Sequence, residues 1–154
     1  MSADAREAVQ QAYQAYIEHT LQAMVNFVGE DTDVDRLWVY TDMAFETITS
    51  HPFFRLNDQF VNHGELEAAD PDHEHDAWAL VDEIADTSTD LELVQACRDT
   101  GSVPQRIISV YDPESGELSA SWDYEDVLQG EDDNSARALD RWIITMGGKP
   151  IVGQ

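Results

Sequence analysis

Basic residues are scarce in this chain of 154 residues, which has 8 lysines and arginines against 32 aspartates and glutamates. The formal net charge is −24 at pH 7, and Lys149 is the only lysine. Such a surface repels nucleic acids and anionic membranes, and it attracts cationic proteins. The charge therefore argues against binding to either polyanion. It leaves open whether the acidity serves a basic partner or adapts the protein to salt.

Cysteine and long apolar runs are also nearly absent. Cys97 is the only cysteine, which excludes an intrachain disulfide. It follows Leu91 and Val94 at helical spacing, and this predicts a buried thiol rather than a nucleophile. No apolar run approaches the roughly 18 residues of a membrane span, and the first residues lack the basic and apolar regions of a secretory signal. We therefore expect a cytoplasmic protein with no membrane partner.

The motifs that place a catalytic serine or cradle a phosphate, G-x-S-x-G, G-x-G-x-x-G and G-x-x-x-x-G-K-[ST], are missing from the sequence. The segment Asp72-His73-Glu74-His75-Asp76 offers residue types that bind zinc, nickel or copper. Its histidines are two positions apart, however, and not on one helix face as in H-E-x-x-H. We expect this segment to be solvated surface that binds no metal, and we expect a protein that uses no cofactor and is not an enzyme. An enzyme that uses a metal at this segment is the alternative.

Residues 103–126 predict a β-hairpin. Ile107 to Tyr111 are mostly β-branched or aromatic, and Asp112 to Gly116 have the composition of a turn. The return strand alternates between two sets of side chains. Leu118, Ala120, Trp122 and Tyr124 form one set, and Glu117, Ser119, Ser121 and Asp123 form the other. We therefore expect Trp122 to be buried with Leu118 and Ala120, opposite a wet, acidic face.

The rest of the chain predicts helices separated from strands. In chain order we expect a helix over 4–28, strands over 37–41, 45–49, 53–56 and 59–62, a polar loop over 65–76, a helix over 77–84, the hairpin, and a helix over 135–146 capped by Ser135. Pro52 should interrupt the strand ladder and favours an edge or a bulge. Leu91, Val94 and Cys97 continue the central helix or belong to a second one, capped by Thr89 or Asp90.

This order of elements is typical of an α+β fold. We expect one domain over residues 1–154, in which an antiparallel sheet packs against N-terminal, central and C-terminal helices. The tail over about 147–154 should be loose. Nothing in the pattern indicates an internal repeat.

The densest acidic segment follows the hairpin, close to Trp122 and Tyr124. Tryptophan and tyrosine are enriched where proteins bind each other. Carboxylates on a wet surface have ordinary pKa values, so acid–base catalysis is not indicated. We therefore expect the segment to contact a partner, with all its carboxylates pointing to water. The candidate residues are Asp123, Glu125, Asp126, Glu131, Asp132 and Asp133.

Five segments, taken in order, resemble the antitoxin family typified by YezG and EsaG. They are Leu37–Tyr40, Phe53–Leu66, Val103–Asp112 running into Gly116, Trp122–Glu125, and Arg141–Trp142. The acidic insertion over 67–76, the proline at position 52 and the near-absence of lysine depart from the family's pattern.

This resemblance implies an immunity protein without catalytic residues. Such a protein binds and neutralises a nuclease toxin that is exported by type VII secretion. The cognate toxin would be a basic protein, because a nuclease holds phosphate groups. Two alternatives remain from the sequence: an acidic adaptor or chaperone for a basic secreted cargo, and an acidic domain of another role whose charge reflects salt adaptation.

Overall fold

The computed structural model describes residues 3–29, 33–69, 75–86 and 88–151. Its helices and strands, in chain order, are α1 (Ala3–Val28), β1 (Val34–Asp42), β2 (Thr49–Leu56), β3 (Gln59–Val61), α2 (His63–Ala69), α3 (Ala77–Ile84), α4 (Ser88–Thr100), β4 (Arg106–Tyr111), β5 (Leu118–Asp123) and α5 (Ser135–Thr145). The strands form one antiparallel sheet in the order β3-β2-β1-β4-β5. The predicted α+β class is confirmed.

Helices α1, α3 and α4 cover one face of the sheet. The buried stripe of α1, which includes Ile17 and Met24, belongs to the same core cluster as Val39 of β1 and Ile107 of β4. Hydroxyl groups add polar contacts at this buried face. The Oη of Tyr16 lies 2.7 Å from Thr41 Oγ1 and 2.6 Å from Ser50 Oγ, and Tyr13 Oη lies 2.7 Å from Ser109 Oγ. These hydrogen bonds satisfy groups that would otherwise destabilise the interior.

Helix α5 covers part of the other face. Trp38 and Phe53, whose ring centroids are 5.5 Å apart, form a second core cluster with Leu139 and Ile143 of α5. This cover extends to Ile108 of β4. It leaves Ser119 and Ser121 of β5 exposed. The predicted wet face is therefore confined to the edge strand β5.

The strand expected over 45–49 is wrong. Residues 43–48 form the turn between β1 and β2, and Phe45 is 77% exposed. Asp42 Oδ1 accepts a hydrogen bond of 2.9 Å from the amide of Ala44, a contact that competes with continued strand pairing. The alternation of apolar and polar residues did not reveal this turn.

Pro52 does not interrupt β2. It pairs with Val39, and β3 pairs only with residues 54–56, so the proline lies at an open edge of the sheet, one of the two positions expected for it.

In the loop expected over 65–76, residues 65–69 belong to helix α2, and residues 70–74 lie outside the described residues. Asn62 and Glu65 form reciprocal bonds at its start: the amide of Glu65 donates to Asn62 Oδ1 (2.8 Å), and the amide of Asn62 donates to Glu65 Oε1 (3.1 Å). This capping box was present in the sequence as N-x-x-E and was missed. It places Leu66 in the core.

The central helical region divides into two helices, α3 and α4, so the alternative of a second helix is correct. Thr89 and Asp90 lie in the first turn of α4, so neither is its cap. Val94 and Cys97 are buried as expected, whereas Leu91 is exposed and Leu93 takes the core position. Gly101 follows α4 at φ 81°, a conformation that favours glycine at a helix end.

Two details differ at the C-terminal end. Asn134 caps α5, not Ser135, because its Oδ1 accepts from the amide of Arg137 at 3.0 Å. The chain after α5 was expected to be loose over about 147–154, of which residues 152–154 lie outside the described residues. Ile151 is instead buried, and its amide donates to Asp140 Oδ1 (2.8 Å) while its carbonyl accepts from Asn62 Nδ2 (2.5 Å).

Candidate functional site

The predicted partner surface lies where β5 ends and the chain crosses to α5, residues 123–133, here called the acidic hairpin end. Its first carboxylate, Asp123, lies opposite Arg106 in the β4–β5 register. Arg106 Nε donates to Asp123 Oδ2 at 2.6 Å. The same guanidinium lies 5.8 Å from the ring centroid of Tyr40, within cation–π range. Asp123 is therefore held against the sheet and does not extend freely into water.

The last carboxylate, Asp133, is held more tightly. Arg141 donates to it twice, from Nη1 to Oδ1 (2.8 Å) and from Nη2 to Oδ2 (2.5 Å). The amide of Gln129 adds a third hydrogen bond of 2.8 Å. These donors hold the pKa of Asp133 well below its usual range, because they favour the charged form. With its side chain only 5% exposed, Asp133 organises the loop.

The remaining four carboxylates are exposed. They are Glu125, Asp126, Glu131 and Asp132, here called the exposed acidic set. The expectation that all six carboxylates point to water is thus wrong for Asp123 and Asp133, which form ion pairs. The sequence pattern could not distinguish them, because their arginine partners lie 17 and 8 positions away.

Two aromatic residues directly precede this set in the chain. Tyr124 directly follows β5 and is 53% exposed. Trp122 is half-buried, with its ring centroid 5.1 Å from that of Tyr13, and Ala120 is exposed. The expected burial of Trp122 with Leu118 and Ala120 is therefore only partly correct. Because β5 is an edge strand, its apolar face is not fully covered.

An open groove of about 410 Å³ lies between these aromatics and the helices. It lies between the start of α1, the end of α4 and β5. Cys97 lines it, and burial raises the pKa of this thiol, so the neutral form dominates at pH 7. This agrees with the predicted structural role. The lining residues are Arg6, Val9, Gln10, Cys97, Thr100, Ser102, Trp122 and Tyr124.

The predicted alternative of a metal site falls partly outside the described residues, which omit Asp72, His73 and Glu74. The other two members have structural contacts. His75 is buried and its Nδ1 donates to the carbonyl of Phe27 at 2.6 Å, and Asp76 caps α3 by accepting from the amide of Ala79 at 3.0 Å. Within the described ranges, no group of three or more His, Cys, Asp or Glu residues is placed to hold a metal.

The structure also brings together His51 and Ser135, which are 84 positions apart and which the sequence analysis did not connect. The Nε2 of His51 lies 2.9 Å from Ser135 Oγ, and burial lowers the pKa of the imidazole. A neutral histidine beside a serine is one requirement for nucleophilic catalysis. Here Ser135 is the first residue of α5, and Asn134 already occupies an amide at that helix end. An oxyanion bound at this helix end would compete with the Asn134 cap. We therefore interpret the contact between His51 and Ser135 as a structural hydrogen bond that joins β2 to α5.

Among the residues described, no helix is both long and apolar enough to cross a membrane. A scan against protein-family models finds no match for this chain, and a search of curated proteins finds none either.

Proposed function

We propose that this protein is an immunity protein, a stoichiometric inhibitor that binds a basic nuclease toxin in the cytoplasm. The observation that carries the proposal is the acidic hairpin end, where four exposed carboxylates follow the exposed Tyr124 within eight residues of the chain. The net charge of −24 and the resemblance to the YezG and EsaG antitoxins point the same way.

The ion pairs at both ends of this surface favour tight binding. Arg106 holds Asp123 at the end of β5, and Arg141 holds Asp133 and the carbonyl of Val127, to which Nη2 donates at 3.1 Å. Both ends of this segment, and Val127 between them, are therefore held in place before a partner arrives. A preorganised surface loses less conformational entropy on binding.

Inhibition would follow from charge and shape together. A nuclease that grips phosphate groups presents arginine and lysine side chains at its active site. The exposed acidic set attracts such a cleft and speeds association. Tyr124 and the groove beside Trp122 supply apolar contact area of the kind that anchors interfaces. The bound protein then occupies the space that nucleic acid needs, and this requires no catalytic residue, cofactor or metal in this chain.

The association rate of purified protein and toxin tests the proposal. The variant E125Q/D126N/E131Q/D132N should associate more slowly, with a weaker dependence on salt, because it lacks the steering charges. The control D33N/D58N/E114Q/E117Q also removes two Asp and two Glu charges. Its positions are exposed and lie at the opposite end of the sheet, near the β2–β3 and β4–β5 turns. Equal association rates for the two variants would contradict the proposed surface.

Measuring nuclease activity in the complex distinguishes the chaperone alternative from an inhibitor. An escort for a basic cargo binds without necessarily blocking the active site. Binding of folded nuclease with full retention of nuclease activity would favour the escort over the inhibitor.

A further inference from the structure

Helix α3 exposes apolar residues that contribute little to the core. Trp78 is 82% exposed and Val81, three positions later, is 46% exposed, while Leu80 is buried. Side chains three apart are neighbours on a helix surface. Tryptophan is highly buried on average, so such exposure calls for an explanation.

The face of α3 that carries Val81 continues into a cavity of about 400 Å³. Ile48 and Pro52 form the wall on the β2 side, and Ile84 forms part of the helical wall. The cavity is open to solvent and mostly apolar.

The charge around this cavity has one sign. Asp90 lines it, and Glu83 and Asp86 lie near it around His19, whose Nε2 is 3.4 Å from Glu83 Oε2 and 4.0 Å from Asp86 Oδ2. None of the eight lysines and arginines of the chain is among the described lining residues. Burial and the charge of Asp86 raise the pKa of Asp90 to about 6, so the site disfavours its own carboxylate charge.

We propose that this cavity and the adjoining face of α3, here called the α3 groove, bind a cationic amphipathic segment of a partner protein. An apolar side chain of that segment enters the cavity against Val81 and Ile84. A lysine or arginine of the same segment pairs with Asp90, and another side chain covers Trp78. Apolar anchors in a groove with complementary charges outside it are a common way to recognise such a segment.

A second copy of this chain is a poorer occupant. Each copy carries a net charge of −24, and contact between two α3 grooves would bring their carboxylates together. Like charges facing each other oppose association. The proposal is also separate from the acidic hairpin end, because the groove involves β2 and the hairpin end involves β5, with β1 and β4 between them.

The test uses the full chain and a short synthetic peptide of leucine and lysine that forms an amphipathic helix. Trp78 is a local reporter, since binding at the groove should shift tryptophan emission to the blue and reduce quenching by acrylamide. The variant W78F should lose most of this signal. An undiminished signal in W78F would place the peptide elsewhere and overturn the proposal.

Affinity measurements locate the contact independently. V81S and D90N should each weaken binding about tenfold, a change of about 1.4 kcal/mol. I144S replaces an exposed aliphatic residue of α5, away from the α3 groove, and should leave affinity unchanged. Circular dichroism checks that each variant folds. If V81S does not fold, D90N still tests the proposal, because asparagine keeps the size of the side chain.

Two further outcomes would also overturn the proposal. If a peptide of serine and lysine with the same charge binds equally well, the peptide is attracted by the overall negative charge of the protein and not by the apolar cavity. If sedimentation shows a dimer that V81S dissociates, the occupant is a second copy.

Discussion

Arg141 binds the carboxylate of Asp133 through two guanidinium nitrogens and also donates to the carbonyl of Val127. One side chain of α5 therefore holds two points of the acidic hairpin end, Val127 in its middle and Asp133 at its last residue. This contact divides the predicted acidic residues into two kinds. Asp123 and Asp133 shape the loop, and the exposed acidic set is available to a partner.

We expect D133N to lower the midpoint of thermal unfolding, because the amide cannot replace a carboxylate that accepts three hydrogen bonds. D132N, at an exposed position, is the control and should change it little. Since the folded state depresses the pKa of Asp133, its stabilisation is present above the unfolded value of 3.8 and is lost as the pH falls below it. A D133N melt that matches the wild type at pH 7 would contradict the structural role.

We expect W122A to lower the free energy of unfolding by about 2 kcal/mol, less than the 3–5 kcal/mol of a fully buried tryptophan. The reason is that Trp122 packs on Tyr13 with one side and remains half-exposed. Y124A should cost under about 1 kcal/mol, as exposed positions usually do. Chemical denaturation measures both. Equal losses would mean that Trp122 contributes no more to packing than the exposed Tyr124.

Sequence patterns predicted the fold where one chemical signal was sufficient. The stripe through Ile17 and Met24 defined α1, and the β-branched run and turn defined the hairpin. They failed where local patterns compete. Phe45 and Thr49 alternate like a strand, but the hydrogen bond from the amide of Ala44 to Asp42 favours a turn.

The candidate site shows the same division. The sequence indicated a dense acidic segment near aromatic residues. It could not show that Arg106 and Arg141 neutralise two of its members, because those pairings depend on strand register and on the docking of α5. The contact between His51 and Ser135, and the cavity beside α3, likewise arise only from tertiary packing.

We expect the fold to remain stable at low ionic strength, which would argue against salt adaptation as the main reason for the net charge. Dilute salt leaves like charges unscreened, since the Debye length rises from about 8 Å at 0.15 M to 30 Å at 0.01 M. The sheet is packed by helices on both faces, and that packing does not need salt. Thermal melts in dilute buffer and in molar NaCl compare the two conditions. Loss of the cooperative transition in dilute buffer would support salt adaptation instead.

We expect D90N to stabilise the protein at pH 7 and above. The folded state raises the pKa of Asp90 from 3.8 to about 6, so its contribution is most favourable below 3.8 and is lost as the pH rises through 6. Asparagine removes the charge that is disfavoured at pH 7. The gain should be about 1 kcal/mol, since solvent screens a half-exposed group. It should vanish near pH 4, and a gain that does not vary with pH would contradict the explanation.

The central claim is that this protein inhibits a basic nuclease by binding it. The most direct measurement is a titration of the proposed cognate nuclease, purified and folded, with nucleic-acid cleavage as the readout. We predict that cleavage falls linearly with added protein and ends at equimolar amounts, and that E125Q/D126N/E131Q/D132N inhibits less well than D33N/D58N/E114Q/E117Q. Full cleavage in the presence of excess protein would contradict the account.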